Sequence, residues 1–214
     1  MTRILKCILF LSVSFAIQSR AQVRLGVKAA LTVPFSKNQL IQYDDFQDFL
    51  VYDVKVLQQN VSPEFGLIAF YSNNLLFLQT EALYKKVETD FEITSYVLDD
   101  ISLPRQRKET SYMTFPITAG VMINETIKLG LGPVFSVIID DTFILENVEN
   151  FEEKQSKIEK GFSFSFGILV KRLHFDLRYE SRFDGVAEDF YFRNTRQGFR
   201  QRPGYLTFGV GLVL

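Results

Sequence analysis

Eight segments of about ten residues alternate apolar with polar or small side chains, the period-2 signature of a strand with two unlike faces. Residues 161–170 are the plainest case, with Phe162, Phe164, Phe166 and Ile168 on one face and Ser163, Ser165 and Gly167 on the other. The other seven segments are residues 23–32, 61–71, 75–85, 112–123, 127–138, 173–182 and 205–214. Pro116, inside the fourth, lacks a ladder donor and marks a weak point unless it falls at a bulge. Short turns (72–74, 124–126 and 171–172) join the second segment to the third, the fourth to the fifth and the sixth to the seventh. Long polar stretches (33–60, 86–111, 139–160 and 183–204) make the other connections. Antiparallel strands linked in this strict alternation carry every long loop at one end and every turn, with both termini, at the other. That asymmetry predicts an all-β, eight-stranded antiparallel up-and-down transmembrane β-barrel with short periplasmic turns and long extracellular loops.

Composition agrees with this without deciding it. A chain of 214 residues with 47% hydrophobic and 23% charged residues and mean hydropathy +0.05 supplies one domain. It is too polar for a polytopic helical membrane protein and too apolar for a disordered chain. Residues 1–21 read as a secretory signal: Arg3 and Lys6 precede an apolar run at 8–17, and Ser19-Arg20-Ala21 ends in small residues before Gln22. The apolar run is too short to anchor the chain in a bilayer. Cys7 follows Lys6 where a lipoprotein needs a small residue, so lipidation is not expected. Cleavage leaves residues 22–214 as the barrel domain, takes Lys+Arg from 24 to 21 against 25 Asp+Glu (net −4), and removes the one Cys. The exported chain therefore has no disulfide scaffold. Without a concentrated basic segment it is not expected to take nucleic acid as a partner.

Alternation alone leaves open which face points outward, since a soluble lipocalin-type ligand-binding barrel has the same period with its faces exchanged. Three features favour lipid outside and an outer-membrane location. The segments have the length a tilted strand needs to cross the hydrocarbon layer. The polar face mixes glycines and serines with long charged side chains, as a narrow lumen requires. Tyr71, Tyr84, Tyr112, Tyr179 and Tyr205 lie near strand ends, where aromatic girdles form.

Four motifs, in order, resemble those of the PorT-like outer-membrane β-barrel proteins, small eight-stranded barrels of the OmpA/OmpX kind. They are Leu78-Gln79-Thr80-Glu81-Ala82-Leu83-Tyr84, the YMTFPI of residues 112–117, Gly130-Leu131-Gly132-Pro133, and Leu177-Arg178-Tyr179. Glu180 stands where that family has Gly, and the chain ends in Leu214 rather than Phe. The resemblance implies a Gram-negative outer-membrane location. It also implies, more distantly, a part in a type IX secretion or gliding apparatus.

Arg24, Lys28, Glu64, Glu81, Lys85, Asp176, Arg178 and Glu180 fall on the polar face and are the expected lumenal ion-pair residues. A buried charge must find a partner, so this set reads either as an ion-pair plug or as a gated pore for small solutes; the plug is the simpler account. His174 is the only His, beside the turn at 171–172, with neither a second His nor a nucleophile elbow, so no catalytic or metal site and no cofactor is expected. The acidic loop residues Asp44, Asp45, Asp48, Asp53, Asp140, Asp141, Glu146, Glu149, Glu152 and Glu153 read as solvated surface. Phe46, Phe49, Tyr52, Phe192, Arg193, Arg196, Arg200 and Arg202 interleave aromatics with arginines in the first and fourth long loops. They are the expected contacts to lipopolysaccharide phosphates or to an envelope protein partner, with the loops folded over the mouth or against that partner. The sum of these features is a non-enzymatic structural or interaction component of the cell envelope. A small-solute outer-membrane channel or transporter is the alternative.

Overall fold

A computed structural model describes residues 22–35, 39–45, 50–73, 75–95, 101–102, 106–142, 151–154, 157–183, 189–192, 195–197 and 204–214. Residues 1–21, read from sequence as a signal, lie outside them. Eight strands form a closed antiparallel barrel: β1 (Gln22–Pro34), β2 (Ser62–Ser72), β3 (Leu76–Ser95), β4 (Gln106–Ile123), β5 (Ile127–Asp141), β6 (Ile158–Val170), β7 (Leu173–Arg182) and β8 (Gly204–Val213). Each pairs with its sequence neighbours, and β1 pairs with β8 from Gly26↔Val213 to Pro34↔Tyr205, which closes the sheet and leaves the barrel no free edge.

The short connections are built as their residues dictate. Asn124 and Glu125 both take left-handed backbone (φ 51° and 54°) as the central residues of a tight turn, closed by the Thr126 amide donating to the Ile123 carbonyl at 3.1 Å, inside the three-residue connection 124–126. At the turn after β2, the Asn73 side chain accepts hydrogen bonds from the amides of Leu75 and Leu76. Pro116 is buried, and the β3–β4 ladder passes from Thr80↔Ile117 to Leu83↔Thr114 without a change of register. The bulge in β4 lies instead at Ser111/Tyr112, opposite β5.

Side-chain parity decides inside from outside. Leu25, Val27, Leu31, Phe65, Leu67, Leu131, Phe162, Phe164, Phe166, Phe175, Phe208, Val210 and Leu212 all face outward and are exposed. Lys28, Glu64, Glu81, Lys85, Asp176, Arg178 and Glu180 face inward and are buried. A soluble ligand-binding barrel needs the reverse arrangement, because water would meet an apolar belt and the core would hold charge; that alternative is overturned. The tyrosines divide differently from the girdle expectation. Tyr179 is exposed on the outer face, whereas Tyr112 and Tyr205 are buried in the lumen, since each shares the parity of an inward threonine (Thr114, Thr207). The turn end of the lumen is closed by an apolar cluster of Ile68, Phe70, Phe77, Met122, Leu169 and Val213.

Several strands outrun their sequence segments. Beyond Lys85, β3 keeps its parity but exchanges the chemistry of its faces: Val87, Thr89 and Phe91 are buried, while Lys86, Glu88 and Asp90 turn outward. The apolar-outward pattern stops there although the strand does not. Residues 86–95 and 106–111, read from sequence as loop, are therefore wall. Leu50–Gln59 continues this wall beside β3, from Tyr52↔Ser95 to Gln59↔Thr89, and Gln39–Asp45 pairs with it. The first long loop is thus a hairpin added to the wall over its described backbone. The third and fourth long loops are tied together, with Phe151–Lys154 pairing with Asp189–Phe192, which in turn pairs with Thr195–Gln197.

Candidate functional site

Inward side chains from all eight strands form a polar network above the apolar floor. Arg178, from the middle of β7, lies at its centre. Its Nη1 donates to Glu81 Oε2 at 2.6 Å and its Nη2 to Glu64 Oε2 at 3.4 Å, and its Nε lies 2.6 Å from Glu180 Oε1. The last contact is an ion pair without hydrogen-bond alignment, for Arg178 Nε and both Glu180 oxygens have no hydrogen-bond partner. Lys28, on β1, bridges Glu81 Oε1 at 2.7 Å and Asp176 Oδ1 at 2.8 Å. Lys85 donates to Glu64 Oε1 at 3.1 Å, and the Thr32 hydroxyl donates to the same oxygen at 2.6 Å. Thr32 and Thr207 complete this level at 2.7 Å.

Below this centre, Lys128 donates to Gln79 Oε1 at 2.7 Å and meets His174 Nε2, its ammonium lying 4.7 Å from the Phe70 ring and 5.1 Å from the Phe77 ring. Above it, Arg182 pairs with Glu159, to which the Tyr112 hydroxyl also donates at 3.3 Å. The Arg182 guanidinium sits between the Tyr112 and Tyr205 rings, 5.0 and 4.8 Å from their centroids. Glycines give this chemistry its room. A Cβ on Gly209 would lie 2.5 Å from both Asp176 Oδ1 and Lys28 Cε, and one on Gly167 would lie 2.9 Å from Lys128 Cε.

Lys28, Lys85, Lys128, Arg178 and Arg182 face Glu64, Glu81, Glu159, Asp176 and Glu180, and the sixth buried cation, Lys108, pairs with Asp141 at the outer end, so the lumenal charge balances only with that pair counted. In a low-dielectric interior such a set is stable only as a whole, since removal of one member strands its partners. Chemically the arrangement locks charge in place; a cavity above it, lined by residues from Gln59 to Tyr205, has about 20 Å³, room for a water or two. Outside the wall, above the apolar belt, exposed pairs join Lys86 to Glu109 at 2.5 Å and Arg107 to Asp90 at 3.0 Å. These hydrogen bonds raise the pKa of Lys86 and of Arg107.

Seven of the eight lumenal residues expected from sequence meet in this network. Arg24 does not: half-buried near the turn end, its Nη1 reaches the Lys171 carbonyl at 3.5 Å. Sequence reasoning left Gln79, Lys128, Glu159, His174 and Arg182 out of the ion-pair set. Parity alone marks Gln79, Lys128, His174 and Arg182 as inward, and Glu159 was lost because β6 begins at Ile158 rather than at 161. Among the loop contact candidates, Phe46, Phe49, Arg193, Arg200 and Arg202 lie outside the described residues. Tyr52, Phe192 and Arg196 fall on the strands Leu50–Gln59, Asp189–Phe192 and Thr195–Gln197. No group of three or more His, Cys, Asp or Glu able to hold a metal occurs among the described residues.

Fold and site together define a small closed eight-stranded β-barrel, apolar outside and filled by balanced charge within. No protein-family model and no curated protein matches the chain. Among solved structures it is similar to the outer membrane protein OprG from Pseudomonas aeruginosa, with a TM-score of 0.48 and 12% identity, over 92% of this chain and 96% of that one.

Proposed function

We propose that the chain is a closed, non-enzymatic β-barrel of the bacterial outer membrane, exported through a cleaved signal peptide and serving as a structural or interaction component of the envelope. The observation that carries this reading is the continuous outward belt of exposed Leu, Val, Ile and Phe around a barrel whose charges, at the level of that belt, are turned inward. In water, an apolar surface of that extent would drive association; in lipid it is the solvated face, and closure satisfies the backbone there. The balanced lumen and its apolar floor support a plug over a pore. The four motifs in order support kinship with PorT-like barrels, and through it a place beside a secretion or gliding apparatus. Lipid and lipopolysaccharide surround the barrel, and its protein partner meets the long loops.

Fractionation with a heat-modifiable gel shift tests the location: the folded protein runs ahead of its boiled form and is recovered with outer membranes. Recovery as a soluble periplasmic protein without a shift overturns the reading. Planar-bilayer recordings test closure. Silent bilayers support the plug, and discrete unitary currents replace it with the channel.

A further inference from the structure

The hairpin that joins β6 to β7 has only two residues, Lys171 and Arg172, between the paired positions Val170 and Leu173. Lys171 takes left-handed backbone (φ 57°), where glycine or asparagine is the easier choice, yet the position carries a cation. Both side chains are exposed, and neither makes an ion pair among the described residues. Arg24, on β1, comes to the same corner, its Nη1 donating to the Lys171 carbonyl at 3.5 Å. The described residues of the other two short turns carry one charged side chain, Glu125. Position points to the kind of anion these cations meet. Val170 and Leu173 face outward in the apolar belt, at 49% and 44% exposure, so Lys171 and Arg172 stand one residue beyond the level of the acyl chains. At the long-loop end, by contrast, the exposed cations Lys86 and Arg107 are already met by Glu109 and Asp90.

We propose that Lys171 and Arg172 bind the phosphate groups of anionic phospholipids in the leaflet on the turn side of the barrel. The phosphate layer begins where the acyl chains end, and that is the level at which the hairpin sets both side chains. Arg presents its donors in a fixed fork suited to phosphate, and Lys adds a compact point charge. A loop of two residues leaves the pair little freedom to leave that level, so little entropy is lost on contact. The attraction of one basic residue to an anionic lipid surface corresponds to about fivefold in an equilibrium constant. This contact rests on the outer-membrane reading and adds to it a preference for one class of lipid at one end of the barrel.

The test is urea unfolding of the whole barrel, read by the heat-modifiable band, in vesicles of phosphatidylcholine alone and with phosphatidylglycerol added, at low salt. Phosphatidylglycerol should raise the folding equilibrium constant by roughly 25-fold, about fivefold for each of the two cations, and high salt should erase the gain. Lys171→Asn with Arg172→Gln, which suits the left-handed position, should fold in phosphatidylcholine at least as well as wild type and lose most of the gain. Lys86→Gln, at the opposite end, should keep it. Sodium phosphate added to phosphatidylcholine vesicles should not reproduce it. A gain absent in wild type, intact in the double variant or matched by free phosphate overturns the proposal. Insertion itself is read in phosphatidylcholine and depends on the belt, so a missing response to phosphatidylglycerol sinks the lipid contact while the outer-membrane reading stands.

Discussion

Arg178 is the member of the lumenal network whose loss should cost most. Replacing it by Met keeps an unbranched stem of similar reach but removes the charge facing Glu81, Glu180 and Glu64 at 2.6, 2.6 and 3.4 Å. Glu64 keeps Lys85 and Thr32, and Glu81 keeps Lys28, whereas Glu180 keeps no charged partner in this layer and stays almost fully buried. Breaking a buried pair so that one charge is stranded costs about 3–5 kcal/mol, and the stranded Glu180 places Arg178→Met in that range. Adding Glu180→Gln should return part of the loss, because the second substitution removes the carboxylate the first left unpaired. A coupling of about 1–3 kcal/mol between the two sites is expected, the range for residues in one network. The assay is urea unfolding of the barrel in phospholipid vesicles, with the folded fraction read from the heat-modifiable band for wild type, both single variants and the double. If Arg178→Met lies within about 0.5 kcal/mol of wild type and the double variant is additive, the charges are not bound as one unit and the reasoning fails.

Three further outcomes follow from the same geometry. Glu81→Gln leaves Lys28 and Arg178 with one carboxylate fewer, and should lower stability by about 1–3 kcal/mol or admit ion conductance in planar bilayers; unchanged values in both would count against the plug. Gly209→Ala drives a methyl to 2.5 Å from Asp176 and Lys28 and should cost about 1–3 kcal/mol, whereas Gly211→Ala, with its nearest atom at 3.4 Å, should be close to neutral; equal effects in urea titrations would refute the packing argument. Leu67→Arg, halfway along the outward face of β2, should destabilise the vesicle-borne barrel by about 2–4 kcal/mol, and a near-zero effect would speak against lipid at that position.

The strand order, the end that carries the long loops and the division of faces were legible in the sequence because each rests on local pattern. Period-2 alternation fixes which side chains share a face, and alternating short and long connections fix which ends meet. Even Tyr112 and Tyr205 carry their inward parity in the sequence, although their position near strand ends suggests a girdle. The upper wall was not legible, since alternation is recognised by apolar residues on one constant face and β3 exchanges its faces at Lys86. What only the tertiary structure decided is which charges meet. Arg178 and Glu81 are 97 positions apart, and Lys28 and Asp176 are 148 apart. Arg178 and Glu81 stand on strands β7 and β3, which share no ladder, so no register relates them. They touch because a closed eight-stranded barrel is narrow enough for side chains to reach across its lumen, and that distance exists only once the last strand has paired with the first.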